Sequence, residues 1–256
     1  MTIEGKVVLI TGASQGIGAA CAREFRSRGA RLSITARSED KLKAVAGADA
    51  VVTAGDLTSA VVRSRVVERT IERFGAIDIL INNAGAGLYA PAWKAPLEEA
   101  HAMFELNFFA PLAMIQLVAP YMRERKSGMI VNIGSIAGKV TLPWFTLYSA
   151  TKYALGSLTE GLRMELAGDG IRTMVVCPGY VKTDFQSHAL VGRPPDNLWR
   201  VSITSEECAR AVARGVERDA RTVVTPALGW AFIALQRLFP ALVEMQLRRI
   251  YRGVMQ

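Results

Sequence analysis

Residues 7–18 read VVLITGASQGIG, a short apolar run followed directly by a turn with three glycines. The run Val7–Ile10 predicts a buried β-strand, and apolar residues at helical spacing from Ile17 onward predict a helix. Such a turn lets a ligand approach the backbone, and a helix N-terminus favours an anionic group such as a pyrophosphate. The spacing G-x-x-x-G-x-G departs from the common dinucleotide fingerprint, so an ordinary strand-to-helix turn is the alternative. The candidate cofactor-binding residues are Gly12, Ser14, Gln15, Gly16, Ile17 and Gly18.

Short apolar runs alternate with segments of helical periodicity along almost the whole chain. Apolar strands separated by helices are typical of a parallel sheet that is covered on both faces. We therefore predict an α/β fold, a single doubly wound (Rossmann-like) domain that binds ligands beyond the carboxyl ends of its strands. The candidate strands are Val7–Ile10, Arg31–Thr35, Ala50–Ala54, Ile77–Ile81, Met129–Ile133, Arg172–Val176 and Arg221–Val224.

Composition excludes several classes of protein. The chain has 256 residues, half of them apolar, which is enough for one domain with a full hydrophobic core. Its three cysteines are far apart and its histidines number two, so we expect no disulfide framework and no metal site. Glu4 and Lys6 stand beside the first apolar run, which reads as a strand and not as a signal peptide. The expected compartment is the cytoplasm.

The net charge of +8 raises the question of nucleic-acid binding. The basic residues, however, are spread in ones and twos along helical stretches, and no basic run is interleaved with aromatic residues. A solvated face is the favoured interpretation, and we expect no nucleic-acid partner.

The end of the second strand indicates which cofactor is used. An NAD site usually presents an acidic residue here, to hold the ribose 2′-hydroxyl. This chain instead has Arg37 followed by Ser38. A guanidinium suits a 2′-phosphate, so NADP is the expected cofactor. The alternative is that Arg37 is a surface residue and Ser38 caps the next helix.

Three further strand ends carry candidate cofactor contacts. Asp56 could accept a hydrogen bond from an adenine amino group, and Asn83 could fix a loop beside a cofactor. Simple turn chemistry explains either equally well. Pro178 and Gly179 follow the sixth strand and would let the backbone approach a flat ring. The candidate residues at these ends are Asp56, Leu57, Asn83, Ala84, Gly85, Pro178, Gly179, Val181 and Thr183.

Tyr148 and Lys152 stand one helical turn apart on the same predicted helix face. An isolated tyrosine titrates near ~10, and a nearby ammonium would lower the pKa of its phenol. Alone, the pair is also compatible with an ordinary amphipathic helix. Ser135 lies at the end of the fifth strand, where it could donate to a carbonyl oxygen. Asn107 interrupts a helical segment running from Leu97 to Arg125 and predicts a kink or a bound water there.

Taken in order, these motifs resemble the short-chain dehydrogenase/reductase family over about residues 5–226. The resemblance rests on TGxxxGxG at 11–18, NNAG at 82–85, Asn107, Ser135 and YxxxK at 148–152. It implies that Tyr148 is the general acid/base and that Lys152 lowers its pKa and holds the nicotinamide ribose. Ser135 would orient the substrate carbonyl, and Asn107 would anchor a water linking Lys152 to solvent.

The resemblance also implies a seven-stranded parallel sheet and a homodimer or homotetramer. One departure is Gln15, which stands where some NADP-using members of the family carry a basic residue. This leaves Arg37 as the main expected contact of the 2′-phosphate.

The substrate is expected to be a small apolar ketone, aldehyde or alcohol, such as a lipid, steroid-like or aryl ketone. The family places a variable pocket cover at 184–203, and this one carries Phe185, Leu190, Leu198 and Trp199. Core or subunit packing is an equal alternative for these residues. Two other functions stay open, a 3-oxoacyl thioester reductase and a catalytically weak regulatory protein that binds the cofactor.

We assign residues 1–226 to the catalytic domain and residues 227–256 to a C-terminal helical extension. From Arg221 onward the chain has five arginines and one glutamate, together with many large apolar residues. The extension is expected to pack on its own domain or on a partner subunit; an interfacial helix on a membrane surface is the other interpretation.

Overall fold

The computed structural model describes residues 1–183, 185, 189–192 and 202–251. In this part of the chain, seven parallel strands form one sheet, ordered 3-2-1-4-5-6-9 by strand number. A short parallel pair, β7 with β8, lies apart from it. The strands are β1 (Val7–Thr11), β2 (Arg31–Ala36), β3 (Val51–Ala54), β4 (Ile79–Asn82), β5 (Gly128–Ile133), β6 (Ile171–Pro178), β7 (Tyr180–Val181), β8 (Ser202–Ile203) and β9 (Thr222–Thr225).

Helices cover both faces of the sheet, because its strands are apolar on both sides. Helices α1, α2 and α7 pack on one face, and α3, α5 and α6 pack on the other. The helices are α1 (Gly16–Ser27), α2 (Glu39–Ala46), α3 (Ala60–Phe74), α4 (Leu97–Phe104), α5 (Ala110–Glu124), α6 (Thr146–Glu165), α7 (Ser205–Glu217), α8 (Gly229–Leu238) and α9 (Pro240–Tyr251).

The predicted α/β sheet is confirmed, and each of the seven candidate strands corresponds to a strand of the main sheet. Boundaries differ by one or two residues; the fourth strand, for example, begins at Ile79 and not at Ile77. The pair β7–β8 was not predicted, because two-residue strands leave no periodic signal. A capping box begins α7, with Thr204 and Glu207 each accepting a backbone hydrogen bond from the other residue.

The helical run from Leu97 to Glu124 contains the predicted irregularity at Asn107. Helices α4 and α5 are joined by a π-helical turn at Glu105–Phe109. By length and composition this run could cross a membrane. Its residues Met103, Met114 and Met122 are fully buried, however, and Met114 and Met122 pack in the core beneath the sheet. The run is therefore a core element of the domain.

The C-terminal helices pack on the domain through a few residues. Ile233 of α8 lies in a cluster with Val224 and Val140. At the end of α9, Tyr251 is buried beside Tyr89 and Phe145. The extension is thus held at both ends, while the boundary after Pro226 stays a prediction.

A chain of buried polar side chains joins β4, β5 and α6. Asn82 Nδ2 donates to Asn132 Oδ1 at 2.9 Å, and Asn132 Nδ2 donates to Thr159 Oγ1 at 2.9 Å. All three residues are buried. Because polar groups that lose their partners inside a protein are costly, Asn132 holds this network together.

Replacing Asn132 with alanine should lower the free energy of unfolding by about 3 kcal/mol, since it leaves a cavity and removes one hydrogen-bond partner from each of Asn82 and Thr159. Urea unfolding followed by circular dichroism measures the change. The exposed amide Gln116 is a control, and Gln116→Ala should stay within about 0.5 kcal/mol of wild type. Equal effects of the two substitutions would contradict the role given to the network.

Candidate active site

A cleft of about 630 Å³ opens at the carboxyl ends of the parallel strands. It lies where the strand order reverses between β1 and β4, the usual ligand position in a doubly wound sheet. The sequence-predicted residues that line it are Gly12, Ser14, Gln15, Gly16, Ile17, Arg37, Ser38, Asp56, Leu57, Asn83, Ala84, Gly85, Ser135, Tyr148, Lys152, Pro178, Gly179, Val181 and Thr183.

The glycine-containing turn is held against the loop that follows β4. Asn83 Nδ2 donates to the carbonyl oxygens of Thr11 and Gly12, both at 3.0 Å. Thr11 Oγ1 in turn accepts from the backbone N–H groups of Asn83 and Ala84. Gly12 has φ +67, and a Cβ there would lie 2.7 Å from Ala84 Cα. The sequence-predicted role of Asn83 in fixing a loop is therefore seen directly, whereas the contribution of Thr11 was missed.

Gly18 does not line the cleft, in contrast to the other predicted glycines of the turn. It is buried behind the turn, where a Cβ would collide with the carbonyl oxygen of Gly12 and the side chain of Asn83. Its contribution is the close packing of α1 on the turn.

The end of β2 is basic. Arg37 is exposed at the cleft beside Ser38, which begins α2 without a side-chain capping bond. Lys41, one turn into α2, also lines the cleft, and its Nζ donates to Gln15 Oε1 at 3.2 Å. Sequence reasoning missed Lys41, although its position three residues after Ser38 places it on the first turn of α2. Two cations thus flank this end of the cleft.

The ends of β3 and β6 complete the walls. Asp56 Oδ1 accepts from the backbone N–H and the hydroxyl of Thr58, both at 2.9 Å. It therefore shapes its own turn, and its second carboxylate oxygen has no hydrogen bond among the described residues. Across the cleft, Thr183 lies against the glycine turn, since a Cβ on Gly16 would be 3.3 Å from Thr183 Cγ2.

Ser135, Tyr148 and Lys152 come together at the centre of the cleft. Lys152 Nζ lies 5.7 Å from the ring centroid of Tyr148 and donates to the Ile133 carbonyl oxygen at 2.9 Å. Ser135 Oγ accepts from the backbone N–H of Ala137 at 3.1 Å. The Ser135 side chain also lies near the Tyr148 phenol and favours its ionised form.

Burial is the main cause of the pKa shifts of Tyr148 and Lys152. It raises the pKa of Tyr148 to about 12, although the nearby Ser135 side chain acts in the opposite direction. Burial also lowers the pKa of Lys152 to about 8. The expected lowering of the Tyr148 pKa by Lys152 is thus not seen in the protein without cofactor. Desolvation of the phenolate outweighs the neighbouring charge.

Asn107 stands behind the cleft, in the π-helical turn, and is fully buried. Its Oδ1 accepts from Ala86 N at 2.8 Å, and its Nδ2 donates to Ala86 O at 2.9 Å and to Thr151 Oγ1 at 3.1 Å. Asn107 therefore ties the loop after β4 to α6. Gly85 lies between Asn107 and Lys152, because a Cβ there would be 3.0 Å from Asn107 Oδ1 and 3.7 Å from Lys152 Nζ.

The part of the cleft beyond Tyr148 is apolar. Leu142, Phe145, Phe185 and Leu190 line it, and the ring of Tyr148 lies 5.8 Å from the ring of Phe185 between centroids. Trp144 does not line it and packs on Tyr89. The predicted cover residues Leu198 and Trp199 lie outside the described residues.

The walls fit an extended dinucleotide. The glycine turn leaves no room for side chains and begins a helix, which suits a pyrophosphate. Arg37 and Lys41 offer positive charge at one end, and Lys152 offers a buried ammonium at the other. Such a chain of sites matches the adenosine, diphosphate and nicotinamide parts of an NAD(P) molecule.

Comparison with known proteins supports this assignment. The family model described as short chain dehydrogenase matches residues 6–191. The ketoacyl reductase HetN of Nostoc sp. is 34% identical, over 98% of this chain and 90% of its own. The 11-beta-hydroxysteroid dehydrogenase-like 2 protein of Arabidopsis thaliana is 32% identical, over 97% of this chain and 82% of its own.

Solved structures agree. A short chain dehydrogenase from Burkholderia cenocepacia, in complex with NADP, is 30% identical, with a TM-score of 0.84 over 96% of this chain and 99% of its own. These similarities confirm the resemblance first indicated by the order of the sequence motifs. The chain belongs to the short-chain dehydrogenase/reductase family of NAD(P)-dependent oxidoreductases.

Proposed function

We propose that this protein is an NADP(H)-dependent oxidoreductase that interconverts an apolar ketone or aldehyde and the corresponding alcohol. The observation that carries the proposal is the meeting of Ser135, Tyr148 and Lys152 in one cleft, between a basic end and an apolar end. When bound, NADPH supplies the hydride for the carbonyl carbon. The protein groups supply binding, orientation and the proton.

Ser135 and Tyr148 are the groups that act on the substrate oxygen. Because Ser135 Oγ accepts from Ala137 N, its hydroxyl proton is free to be donated elsewhere, including to Tyr148 or to a carbonyl oxygen. Tyr148 is protonated at neutral pH, since burial raises its pKa, and it is therefore prepared to donate a proton during reduction. Two donors on one oxygen stabilise the charge that develops there.

Lys152 prepares the site for the loss of that proton. One of its three N–H groups donates to the carbonyl oxygen of Ile133; no described residue accepts from the other two, which could bind the nicotinamide ribose. Its positive charge, 5.7 Å from the ring centroid of Tyr148, favours the phenolate that forms when the proton leaves. Asn107 acts as a positioning residue, through its hydrogen bond to Thr151 beside Lys152.

The preference for NADP rests on the end of β2. Arg37 and Lys41 both line the cleft there, in a position where an NAD site would usually present a carboxylate. A 2′-phosphate of about −1.5 to −2 charge suits two cations, if it titrates like other phosphomonoesters. The NADP complex of the Burkholderia cenocepacia relative is consistent with this preference.

A second candidate substrate is a 3-oxoacyl thioester. The similarity to the ketoacyl reductase HetN over nearly the whole chain favours it, and an acyl chain would also suit the apolar end of the cleft. Initial rates with NADPH on acetoacetyl-CoA and on an aryl ketone separate the two. A strong preference for the thioester would replace the simple ketone as substrate and leave the roles of Ser135 and Tyr148 unchanged.

We propose that the protein is a homo-oligomer that associates through α5, α6 and the π-helical turn between α4 and α5. Phe109, Tyr121, Tyr153 and Met164 are exposed on these elements. Large apolar side chains exposed on neighbouring helices commonly mark a subunit interface.

Replacing Tyr148 with phenylalanine should lower turnover by roughly 10²–10⁴, the usual weight of general acid–base catalysis, because the ring stays and the proton donor is lost. NADPH oxidation followed at 340 nm measures the rate. Tyr153→Phe is a matched control, since Tyr153 is on the same helix but does not line the cleft, and the loss of its hydroxyl alone should leave turnover unchanged. Turnover of Tyr148→Phe within a few-fold of wild type would remove Tyr148 from its role.

Lys152 should make stability depend on pH in the absence of cofactor. Its pKa in the folded protein is about 8, below the usual ~10.4 of the unfolded chain, so the buried charge costs stability below pH ~8. The cost is relieved as the pH rises toward ~10. The stability of wild type relative to Lys152→Met should therefore rise by roughly 2–3 kcal/mol from pH ~7 to ~10 in urea unfolding. Parallel pH profiles would contradict the lowered pKa.

Replacing Arg37 with alanine should raise the Kd of NADPH roughly ten- to a hundredfold and leave NADH binding nearly unchanged, because one charge-assisted contact is worth about 1.5–3 kcal/mol. Fluorescence titration with both cofactors gives the two values. Lys43→Ala is the control, since Lys43 is an exposed cation on α2, the helix that follows Arg37, where it pairs with Glu39 and does not line the cleft.

Equal losses for NADH and NADPH in Arg37→Ala would mean that Arg37 supports the fold and does not bind the phosphate. A wild type that already prefers NADH would contradict the NADP assignment.

A further inference from the structure

The helices α8 and α9 contact each other and together expose much of the large apolar surface described for this chain. We call these two helices, with Leu228 before them, the C-terminal hairpin. Its exposed large apolar residues are Leu228, Trp230, Leu235, Leu238, Phe239, Leu242, Met245 and Ile250. They are half of the exposed large apolar residues found in the described chain. Exposed apolar surface on this scale marks an interaction site.

Several of the exposed residues of the hairpin lie opposite its packed residues. In α8, Gly229 and Ile233 are buried, while Leu238 is on the reverse side of the helix. In α9, Val243 and Tyr251 are buried. Leu242 and Met245 then point away from the domain, at a spacing of three residues. The hairpin therefore has one face on the domain and one apolar face outward.

Positive charge accompanies this outward face. Arg249 follows Met245 by one helical turn, so it lies on the same side of α9. Arg237 lies in the last turn of α8, and Arg248 pairs with Glu244 at 2.6 Å. Glu244 is the one acidic residue in the described hairpin, and this pair already occupies it. The face thus combines aromatic and aliphatic side chains with Arg237 and Arg249, for which the described part of the chain offers no acidic partner.

We propose that the C-terminal hairpin docks on an anionic phospholipid membrane, lying in the interface without crossing the bilayer. The apolar face would enter the boundary between headgroups and acyl chains, and the arginines would meet lipid phosphates. A second copy of the chain fits less well, because a two-fold contact would place this basic face on an identical basic face, whose acidic residue Glu244 already pairs with Arg248. Trp230 suits the headgroup layer, since it has an apolar ring and one polar N–H.

The hairpin also reaches the apolar end of the cleft. Tyr251, the last described residue of α9, is buried against Tyr89 and Phe145, and Tyr148 packs on the same cluster. A docked hairpin would therefore hold this end of the cleft near the membrane surface, where an apolar substrate is concentrated. This route of entry rests on the proposed function, whereas the docking itself does not.

Co-sedimentation of the full chain tests the docking. The probes are vesicles of phosphatidylcholine alone and vesicles that also contain phosphatidylserine. Wild type should bind the second kind more tightly, and added salt should weaken this preference. Leu238→Ser should lower the affinity for vesicles roughly tenfold, because one leucine leaves the apolar layer. Arg249→Gln should lower binding to the phosphatidylserine vesicles alone.

Leu97→Ser is the matched control, because Leu97 on α4 and Leu238 are equally exposed, at 71%. It should bind vesicles as wild type does, and so should Tyr148→Phe, since binding requires no turnover. Failure of wild type to bind vesicles, or equal losses for Leu97→Ser and Leu238→Ser, would overturn the proposal. A lower molar mass of Leu238→Ser in light scattering would assign the face to a second copy and overturn it too.

Discussion

Polar backbone groups beyond the ends of parallel strands need partners, and this requirement organises the whole cleft. Within a sheet, neighbouring strands satisfy these groups, but past the last residue of a strand other groups must do so. Asn83 binds the carbonyl groups that follow β1, Lys152 binds the last carbonyl of β5, and Asn107 binds both backbone groups of Ala86. The side chains proposed for cofactor binding and catalysis are thus also the ones that hold the loops.

Because Lys152 both holds a loop and lines the cleft, its position explains the shifted pKa values of Lys152 and Tyr148. A lysine that reaches Ile133 O must lie inside the domain, so its charge is partly desolvated and its pKa falls. Tyr148, on the same helix face, shares this environment, and its pKa rises. The protein alone therefore keeps Tyr148 as an acid. An oxidised nicotinamide ring would bring a second positive charge and favour the phenolate, which suits the reverse reaction.

The sequence predicted the sheet and most of the cleft, because its motifs stand at strand ends and a parallel sheet brings these ends together. The sequence did not show that Asn82 belongs to the buried network under the sheet whereas Asn83 binds the glycine-containing turn. This difference depends on β4 ending at Asn82. The sequence placed Gly18 at the cofactor, although packing puts that residue behind the turn. Neither the raised pKa of Tyr148 nor the packing of Tyr251 against Tyr89 could be predicted from the sequence. Both arise from burial by residues far apart in the chain.

The central claim is that Tyr148 is a partly buried acid whose phenolate is favoured by positive charge in the cleft. The most direct test is an ultraviolet titration of tyrosinate, taken as the difference between wild type and Tyr148→Phe, with and without NADP⁺. Without NADP⁺ the phenol of Tyr148 should titrate only in strongly alkaline solution, since burial raises its pKa to about 12. With NADP⁺ bound, the titration should move to lower pH. Identical curves in the two conditions would contradict the account.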